Sequence, residues 1–308
     1  MPGTRPFRFK TIADFHRFRA LPTAEHPLIS VIDLSAVTHA HFSAKEPTSL
    51  VFDFYCIALK KNFPFKVKYG QQEYDFDEGV MSFMAPGQVF GVEPAPGQEL
   101  EQSGWMLLIH PDFLWNTPLA STIKSYEYFG YSVHEALFLS QKEEVMITEI
   151  IRKIEQEYHA NIDAFSQDII IAQIELLLTY SQRFYHRQFI TRKITNHRIL
   201  DRLEALLTDY FNGDSLTREG LLTVQYVADA LNISPNYLSG LLRVLTGRST
   251  QQHIQDRLIE KAKEELSTTD LTVSEIAYRL GFEHPQSFSK LFKKKTSLSP
   301  LEFKRSFN

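Results

Sequence analysis

The chain has 308 residues, of which 43% are apolar and 23% are charged, and its formal net charge is −4. These values are typical of globular proteins and exclude a disordered chain, while the length is sufficient for two domains. No apolar run approaches the roughly 18–20 residues that cross a bilayer, and the polar N-terminus does not resemble a secretory signal. We therefore expect a cytoplasmic protein without a membrane partner.

An internal disulfide is also excluded, because Cys56 is the only cysteine. A single thiol forms no internal disulfide and none of the thiolate zinc patterns. Its neighbours in "VFDFYCIAL" predict a small, buried, apolar side chain in a reducing compartment.

The first 140 residues consist mostly of short apolar or alternating segments separated by Gly, Pro and Asn. Several short strands with this spacing are typical of an antiparallel barrel or sandwich. The predicted strands cover residues 28–37, 49–59, 65–76, 79–86 and 104–110.

The pattern changes to helical spacing after residue 140. Residues 142–160 and 165–187 repeat apolar side chains every three or four positions, which predicts two amphipathic helices. In the second of them, further apolar residues lie beside a stripe of five, so the apolar face is wider than one neighbour needs. The stripe consists of Ile169, Ala172, Leu176, Tyr180 and Phe184. Either a second helix of the same chain or a twofold-related copy would cover it, and we favour a homodimer.

The charge changes sign towards the end of the chain. Residues 1–187 contain 16 basic and 23 acidic residues, a balance of −7, whereas residues 188–308 contain 17 and 14, a balance of +3. A polyanion would therefore meet the C-terminal part. The polar and basic residues 188–197 are predicted to be a linker, followed by a helix over residues 198–212.

The last 85 or so residues contain an internal repeat. The first copy is "VQYVADALNISPNYLSGLLRVLTGRS" (224–249), and the second is "VSEIAYRLGFEHPQSFSKLFKKKTSLS" (273–299). Each copy predicts a short helix, a tight turn at Asn232 or Gly281, and a second helix. Asn and Gly tolerate the left-handed conformation that ends a helix sharply, and Ser234-Pro235 provides a cap and a first helical residue. This combination is a helix-turn-helix signature.

The second helix of each copy has an apolar and a polar side when its residues are placed 100° apart. The apolar side would pack on the domain itself, through Leu238, Leu241, Leu242 and Leu245 in one copy and Phe288, Leu291, Phe292 and the Lys295 stem in the other. The polar side offers amide, hydroxyl and cationic groups, which pair with base edges and phosphates in a major groove about 12 Å wide. A solvated surface helix is the alternative for either copy alone, but the matched polarity of two copies argues against it. The predicted DNA-binding residues are Asn236, Ser239, Arg243, Gln286, Ser287, Ser289, Lys290, Lys293 and Lys294.

A third helix is predicted between the two copies, over residues 250–270. Ile254, Leu258, Ala262 and Leu266 recur in it at helical spacing. A helix of about 17 residues is about 25 Å long. It could therefore hold the second helix of each copy, here called the reading helices, near the ~34 Å repeat of one DNA turn.

The C-terminal residues resemble a known family. Residues 198–308 are similar to the DNA-binding domain of the AraC/XylS family of bacterial transcription regulators, through "VADALNISPNYLSGLLRVLTG" and "RLIEKAKEELSTTDLTVSEIAYRLGFEHPQSFSKLFKKKTSLSPLEFK". The resemblance implies two helix-turn-helix units, joined by a helix, in adjacent major grooves of a promoter. Gly240 departs from the family, which often has a large polar or basic residue there, so the first reading helix would make fewer contacts.

The resemblance also implies the architecture of the whole chain, which is of the α+β class. Residues 1–187 would form a cupin-like sensor and dimerisation domain, with an antiparallel β-barrel over 1–140 and dimerisation helices over 141–187. After the linker, residues 198–308 would form an all-α double helix-turn-helix domain. The expected partners are double-stranded promoter DNA, a second copy of the chain, RNA polymerase and a small effector in the barrel.

Metal and catalytic sites are not predicted. His39 and His41 are two residues apart, but the strand "FDFYCIAL" lacks the histidine that a cupin metal site would need, and His110 and His134 have no pattern around them. Asp75, Asp77 and Glu78 are typical of a solvated turn. We therefore expect no cofactor, no metal and no enzymatic activity.

Effector binding is less well supported by the residues. A set of aromatic side chains in the first 140 residues could line a pocket, although core packing is the simpler interpretation. These side chains are Phe52, Phe54, Tyr55, Tyr69, Phe83 and Trp105. Two alternatives stay open, a ligand-independent regulator whose barrel only dimerises and a cupin-type metalloenzyme with an appended DNA-binding module.

Overall fold

The structure is a computed structural model, and it describes residues 6–36, 49–61, 68–69, 72–73, 79–91, 103–131, 135–161, 163–191, 193–213 and 215–306. The chain divides into two compact units, Met1–Gln188 and Phe189–Asn308. Within these ranges, no helix is both long enough and apolar enough to cross a membrane.

The N-terminal unit contains the strands and four of the α-helices of the described chain. The strands are β1 (Phe7–Phe9), β2 (Ile29–Asp33), β3 (Ser49–Phe52), β4 (Tyr55–Lys61), β5 (Lys68–Tyr69), β6 (Gln72–Glu73), β7 (Val80–Met84), β8 (Val89–Gly91), β9 (Ser103–Ile109) and β10 (Leu137–Phe138). The helices are α1 (Ile12–Phe18), α2 (Leu119–Thr122), α3 (Gln141–Tyr158) and α4 (Ser166–Thr191), the last of which extends beyond the end of the unit.

The main sheet is antiparallel, with the strand order β10-β7-β4-β9-β2. Strand β4 lies at its centre and pairs Ile57 with Phe83 on one side and with Leu107 on the other. All three of these side chains are buried, as is Cys56. Burial raises the pKa of the Cys56 thiol to about 12, because the thiolate would lose its hydration. The prediction of a small buried side chain at this position is confirmed.

A second sheet, in the order β1-β3-β8, contains a parallel pair that the predicted strands did not include. Strand β1 runs parallel to β3, with Phe9 opposite Phe52, because α1 and β2 intervene in the chain and provide the long connection that parallel neighbours need. The sheet buries an aromatic cluster in which Phe9, Phe52 and Phe54 are packed together. The α+β class is confirmed, whereas closure into a cupin-like barrel stays a prediction.

Helices α3 and α4 bury one row of aliphatic side chains each. In α3 these are Ile147, Ile150, Ile151 and Ile154, and in α4 they are Ile170, Ile174, Leu177 and Leu178. Arg187 forms an ion pair with Glu143 across the two helices, at 2.7 Å. The predicted stripe is divided, because Ile169, Ala172 and Leu176 are exposed whereas Phe184 is buried.

The C-terminal unit is all-helical in the described residues. Its helices are α5 (Lys193–Asn212), α6 (Ser215–Glu219), α7 (Val224–Leu231), α8 (Pro235–Thr246), α9 (Thr250–Thr268), α10 (Val273–Arg279), α11 (Pro285–Thr296) and α12 (Pro300–Arg305). Of the predicted linker, residues 188–191 lie in α4 and residues 193–197 lie in α5, whereas residue 192 is outside the described residues. The boundary between the two compact units falls at its start, and Phe189 is buried against Tyr237 with ring centroids 5.1 Å apart.

Candidate nucleic-acid interface

The first helix-turn-helix is α7, a sharp turn and α8. Thr223 caps α7 by accepting from the Tyr226 amide, and Asn232 ends the helix in the left-handed conformation, with φ of 57°. Ser234 then accepts from the Tyr237 amide, with Pro235 at the first helical position of α8. The predicted turn residue, cap and proline are all confirmed.

The second helix-turn-helix repeats this arrangement with α10 and α11. Thr272 and Glu275 form a reciprocal capping box at the start of α10. Gly281 ends the turn with φ of 82°, and Pro285 begins α11. A β-carbon at Gly281 would also lie 2.9 Å from backbone atoms of Gly220 and Leu221, so the position needs glycine for space as well as for its backbone angle.

The same hydrogen bond closes both turns. The Ile233 amide donates to the Ala228 carbonyl oxygen at 3.0 Å, and the Phe282 amide donates to the Ala277 carbonyl oxygen at 3.0 Å. Both alanines are fully buried, which allows the following helix to cross closely. The sequence repeat is therefore a structural repeat.

The buried sides of α8 and α11 match most of the predicted residues. Leu238, Leu241 and Leu242 have no exposed surface in α8, and Phe288 and Phe292 have none in α11. The two predicted residues at the margins, Leu245 and Leu291, are only half-buried.

Seven of the nine predicted DNA-binding residues have exposed side chains. They are Asn236 and Arg243 on α8, and Gln286, Ser287, Lys290, Lys293 and Lys294 on α11. The lysines concentrate in the last turn of α11, where cations also interact favourably with the negative end of the helix dipole. Lysine ammonium groups pair with phosphate oxygens, so α11 carries side chains that are suited to a nucleic-acid backbone.

Ser239 and Ser289, the other two predicted residues, form hydrogen bonds within the C-terminal unit. The Ser239 hydroxyl lies 3.0 Å from the hydroxyl of Thr250, which is completely buried at the start of α9. The Ser289 hydroxyl donates to the Pro285 carbonyl oxygen of its own helix, at 3.0 Å. Both side chains are half-buried. A helical wheel could not predict this, because it contains no information about the neighbouring helix or about hydrogen bonds within one turn.

Helix α9 joins the two helix-turn-helix units, as predicted, and has 19 residues. Its buried face includes all four predicted positions: Ile254, Leu258, Ala262 and Leu266. Just after its C-terminal end, Lys304 Nζ of α12 donates to the Thr269 and Leu271 carbonyl oxygens at 2.9 and 2.6 Å.

Two charged residues near the reading helices were missed by the sequence analysis. Arg248, two residues after the end of α8, and Asp256, on α9, form an ion pair at 3.0 Å. Asp256 also binds Lys295 of α11, at 2.8 Å. Contacts between residues 39 positions apart have no local sequence signal.

The described part of the N-terminal unit contains no group of three residues with metal-ligating side chains. His110 accepts from the Asp112 amide through Nδ1, at 3.3 Å, and so has a structural role at a turn. His39, His41, His134, Asp75, Asp77 and Glu78 lie outside the described residues. Of the predicted pocket residues, Phe52, Phe54, Tyr55 and Phe83 are buried in the core.

Comparisons with known proteins locate similarity in the C-terminal unit. Residues 227–306 match a family model described as a helix-turn-helix domain. The chain is 33% identical over 110 residues to the HTH-type transcriptional activator RhaS of Enterobacter sp. (strain 638), which is 36% of this chain and 37% of that protein. It is 38% identical over 78 residues to the arabinose operon regulatory protein of Salmonella typhimurium, which is 25% of this chain and 28% of that protein.

A solved structure is similar to part of the chain. The C-terminal domain of AraT, a response regulator from Geobacillus stearothermophilus, is 33% identical, with 35% of this chain and 84% of that chain covered and a TM-score of 0.31. The chain spans about a third of the length of the two regulators it matches. Through its C-terminal helix-turn-helix domain, the chain belongs to the AraC/XylS family of bacterial transcription regulators.

Proposed function

We propose that the protein is a sequence-specific DNA-binding transcription regulator of the bacterial cytoplasm. The observation that carries the proposal is the repeated helix-turn-helix, in which α8 and α11 each bury an apolar face and expose amide or cationic side chains. A helix of this kind fits the major groove of B-DNA. The names of the matched relatives, a transcriptional activator and an operon regulatory protein, support the same function.

Each class of exposed side chain has a separate role in this proposal. Gln286 and Asn236 carry amides that can bridge adenine, and Arg243 carries the donor pair that recognises guanine. Lys290, Lys293 and Lys294 neutralise phosphates and fix the position of α11 on the duplex without reading sequence. Affinity would therefore fall steeply with salt, whereas base preference would depend on Asn236, Arg243 and Gln286.

The decisive experiment is selection of bound fragments from genomic DNA with the purified protein. Recovery of a shared motif, with two elements about one helical turn apart, is the expected result. A matched duplex with both elements scrambled serves as the control. Equal affinity for the two duplexes, or no enrichment at all, would contradict sequence-specific binding.

We also propose that the protein is a homodimer formed through α4. The exposed residues Ile169 and Leu176, at 43% and 42% exposure, continue a row that begins at Phe165. Such a row is spaced for packing against a second helix. Replacing Leu176 with Glu should convert a dimer into a monomer in sedimentation analysis, whereas Val89→Glu, at an exposed apolar residue of strand β8, should not. A monomeric wild-type protein would contradict dimerisation.

Effector control and contact with RNA polymerase complete the proposal, and both rest on the family resemblance. A ligand must bind two arrangements of the protein with different affinity if it is to regulate. A metabolite at 100 times its Kd should stabilise the protein by about 2.7 kcal/mol in a thermal-shift assay. No shift across a broad panel would favour the ligand-independent alternative. A purified protein that contains a stoichiometric metal and is inactivated by a chelator would favour the enzyme alternative.

A further inference from the structure

Asp256 of α9 binds both helix-turn-helix units at once. Its Oδ2 atom lies 3.0 Å from Arg248 Nη1, and its Oδ1 atom lies 2.8 Å from Lys295 Nζ. Arg248 belongs to the turn that follows α8, and Lys295 belongs to the last turn of α11. One carboxylate thus connects the C-terminal ends of the two reading helices.

The surroundings of Asp256 make this connection more than a solvated surface contact. The Asp256 side chain is 32% exposed and the Lys295 side chain 23%, so their charges are only partly screened by solvent. Hydrogen bonds between ionised groups are shorter and stronger than neutral ones. Arg248, at 61% exposure, is the weaker partner.

Side-chain contacts from α9 also support the first helix-turn-helix next to Asp256. His253 Nε2 lies 2.9 Å from the Thr246 hydroxyl at the end of α8, and Thr250 contacts Ser239 in the middle of that helix. Lys295 connects α11 to the same turn of α9 that faces Arg248. Helix α9 therefore fixes the end of each reading helix near a single point, Asp256.

We propose that Asp256 is a positioning residue that sets the separation and relative angle of α8 and α11, and thereby the spacing of the two DNA elements that the protein accepts. This inference rests on the proposed function. One base pair moves an element by about 3.4 Å along the duplex and about 35° around it. A rigid pair of reading helices would lose base contacts after such a shift, whereas a loosened pair would adjust.

The first test measures spacing discrimination. Duplexes selected with the wild-type protein are lengthened or shortened by one base pair between the two elements, and affinities are measured for wild type, Asp256→Asn and Glu260→Gln. The control variant also removes one negative charge from α9, but its partner is Arg257 on the same helix. Any general gain in DNA affinity from the lost charge is therefore common to both variants.

The wild type and Glu260→Gln should lose affinity on the respaced duplexes by roughly 5- to 150-fold, the cost of one lost base contact. Asp256→Asn should bind the original duplex more weakly and should lose most of that discrimination. Asp256→Glu, which keeps the carboxylate, should restore part of it. Full discrimination in Asp256→Asn would overturn the inference.

The second test needs no DNA. Spin labels are attached at Asn236→Cys on α8 and Ser287→Cys on α11, which are both exposed positions. Pulsed electron–electron double resonance then reports the distance between α8 and α11. The distribution should broaden in Asp256→Asn and stay narrow in Glu260→Gln. An unchanged distribution in Asp256→Asn would overturn the inference even if the protein binds DNA, while a wild type that binds no duplex would overturn the proposed function alone.

Discussion

Gly281 lies so close to Gly220 that a β-carbon on residue 281 would come within 2.9 Å of the Gly220 carbonyl carbon. The backbone angle of Gly281 is also positive, at 82°. A substitution therefore has two costs, a left-handed conformation and a steric collision with backbone atoms.

Gly281→Ala should lower the free energy of unfolding by about 2–4 kcal/mol, the sum of a strained backbone and local overpacking. Gly247→Ala is the matched control, because φ there is 73° and nothing lies within 4 Å of the added carbon. It should cost only about 1–2 kcal/mol. Urea denaturation of both variants measures the difference, and equal costs would show that the contact with Gly220 relaxes freely.

Lys293→Ala should weaken binding to every duplex and reduce the salt dependence of binding. Lys293 is exposed in the last turn of α11, and each phosphate contact contributes about 0.9 to the slope of log affinity against log salt concentration. Lys142→Ala removes the same charge from an exposed position in α3 and should leave the slope unchanged. A slope in Lys293→Ala equal to that of the wild type would remove this residue from the phosphate contacts.

Gln286→Ala should change sequence preference at one base pair. The side chain is exposed in the first turn of α11, where a recognition helix approaches base edges. Loss of a bidentate contact costs about 1–3 kcal/mol at that position and leaves the others intact. Repeating the fragment selection with the variant tests this, and an identical motif would assign Gln286 to the solvent. Arg243→Ala should give the corresponding effect in the element bound by α8.

The stability of the protein should fall as pH drops below about 6.5, the ordinary pKa of histidine. Burial lowers the pKa of His253 in the folded protein, so the unfolded chain binds the proton more tightly. The stabilising contribution is therefore present above the unfolded pKa and is lost as pH falls through the folded pKa. Urea denaturation across this range should show a smaller pH dependence in His253→Gln than in the wild type.

His26 provides the comparison for that experiment, because burial lowers its pKa as well. His26→Gln should remove a separate part of the same pH dependence, and the two effects should add because the residues belong to different units. A wild-type slope retained in full by His253→Gln would show that this histidine titrates alike in the folded and unfolded chain.

The sequence predicted the C-terminal unit well because its signals are local. The turn at Asn232, the cap at Ser234 and the proline at the start of α8 lie within four residues of one another. The buried leucines of α8 follow from helical periodicity alone. A helix boundary of this kind is decided by its immediate neighbours, so a single sequence contains the necessary information.

Features that depend on distant parts of the chain were not predictable. The inward hydroxyl of Ser239 depends on Thr250, and the ion pairs of Asp256 join α9 to α11 and to the turn after α8. The parallel pairing of β1 with β3 brings together residues more than 40 positions apart. Periodicity and propensity describe one element at a time, whereas these contacts exist only after the elements have packed.

The hydroxyl caps of the C-terminal unit have a kinetic consequence. Helices α7, α8, α9, α10 and α12 each begin at a Ser or Thr whose oxygen accepts an amide three residues ahead. Such short loops close quickly and cost little chain entropy, and proteins rich in them fold on the order of microseconds to milliseconds. We expect the C-terminal unit to form its helices in an early refolding phase. The sheets of the N-terminal unit should form later, because their strands must first pair with strands far along the chain.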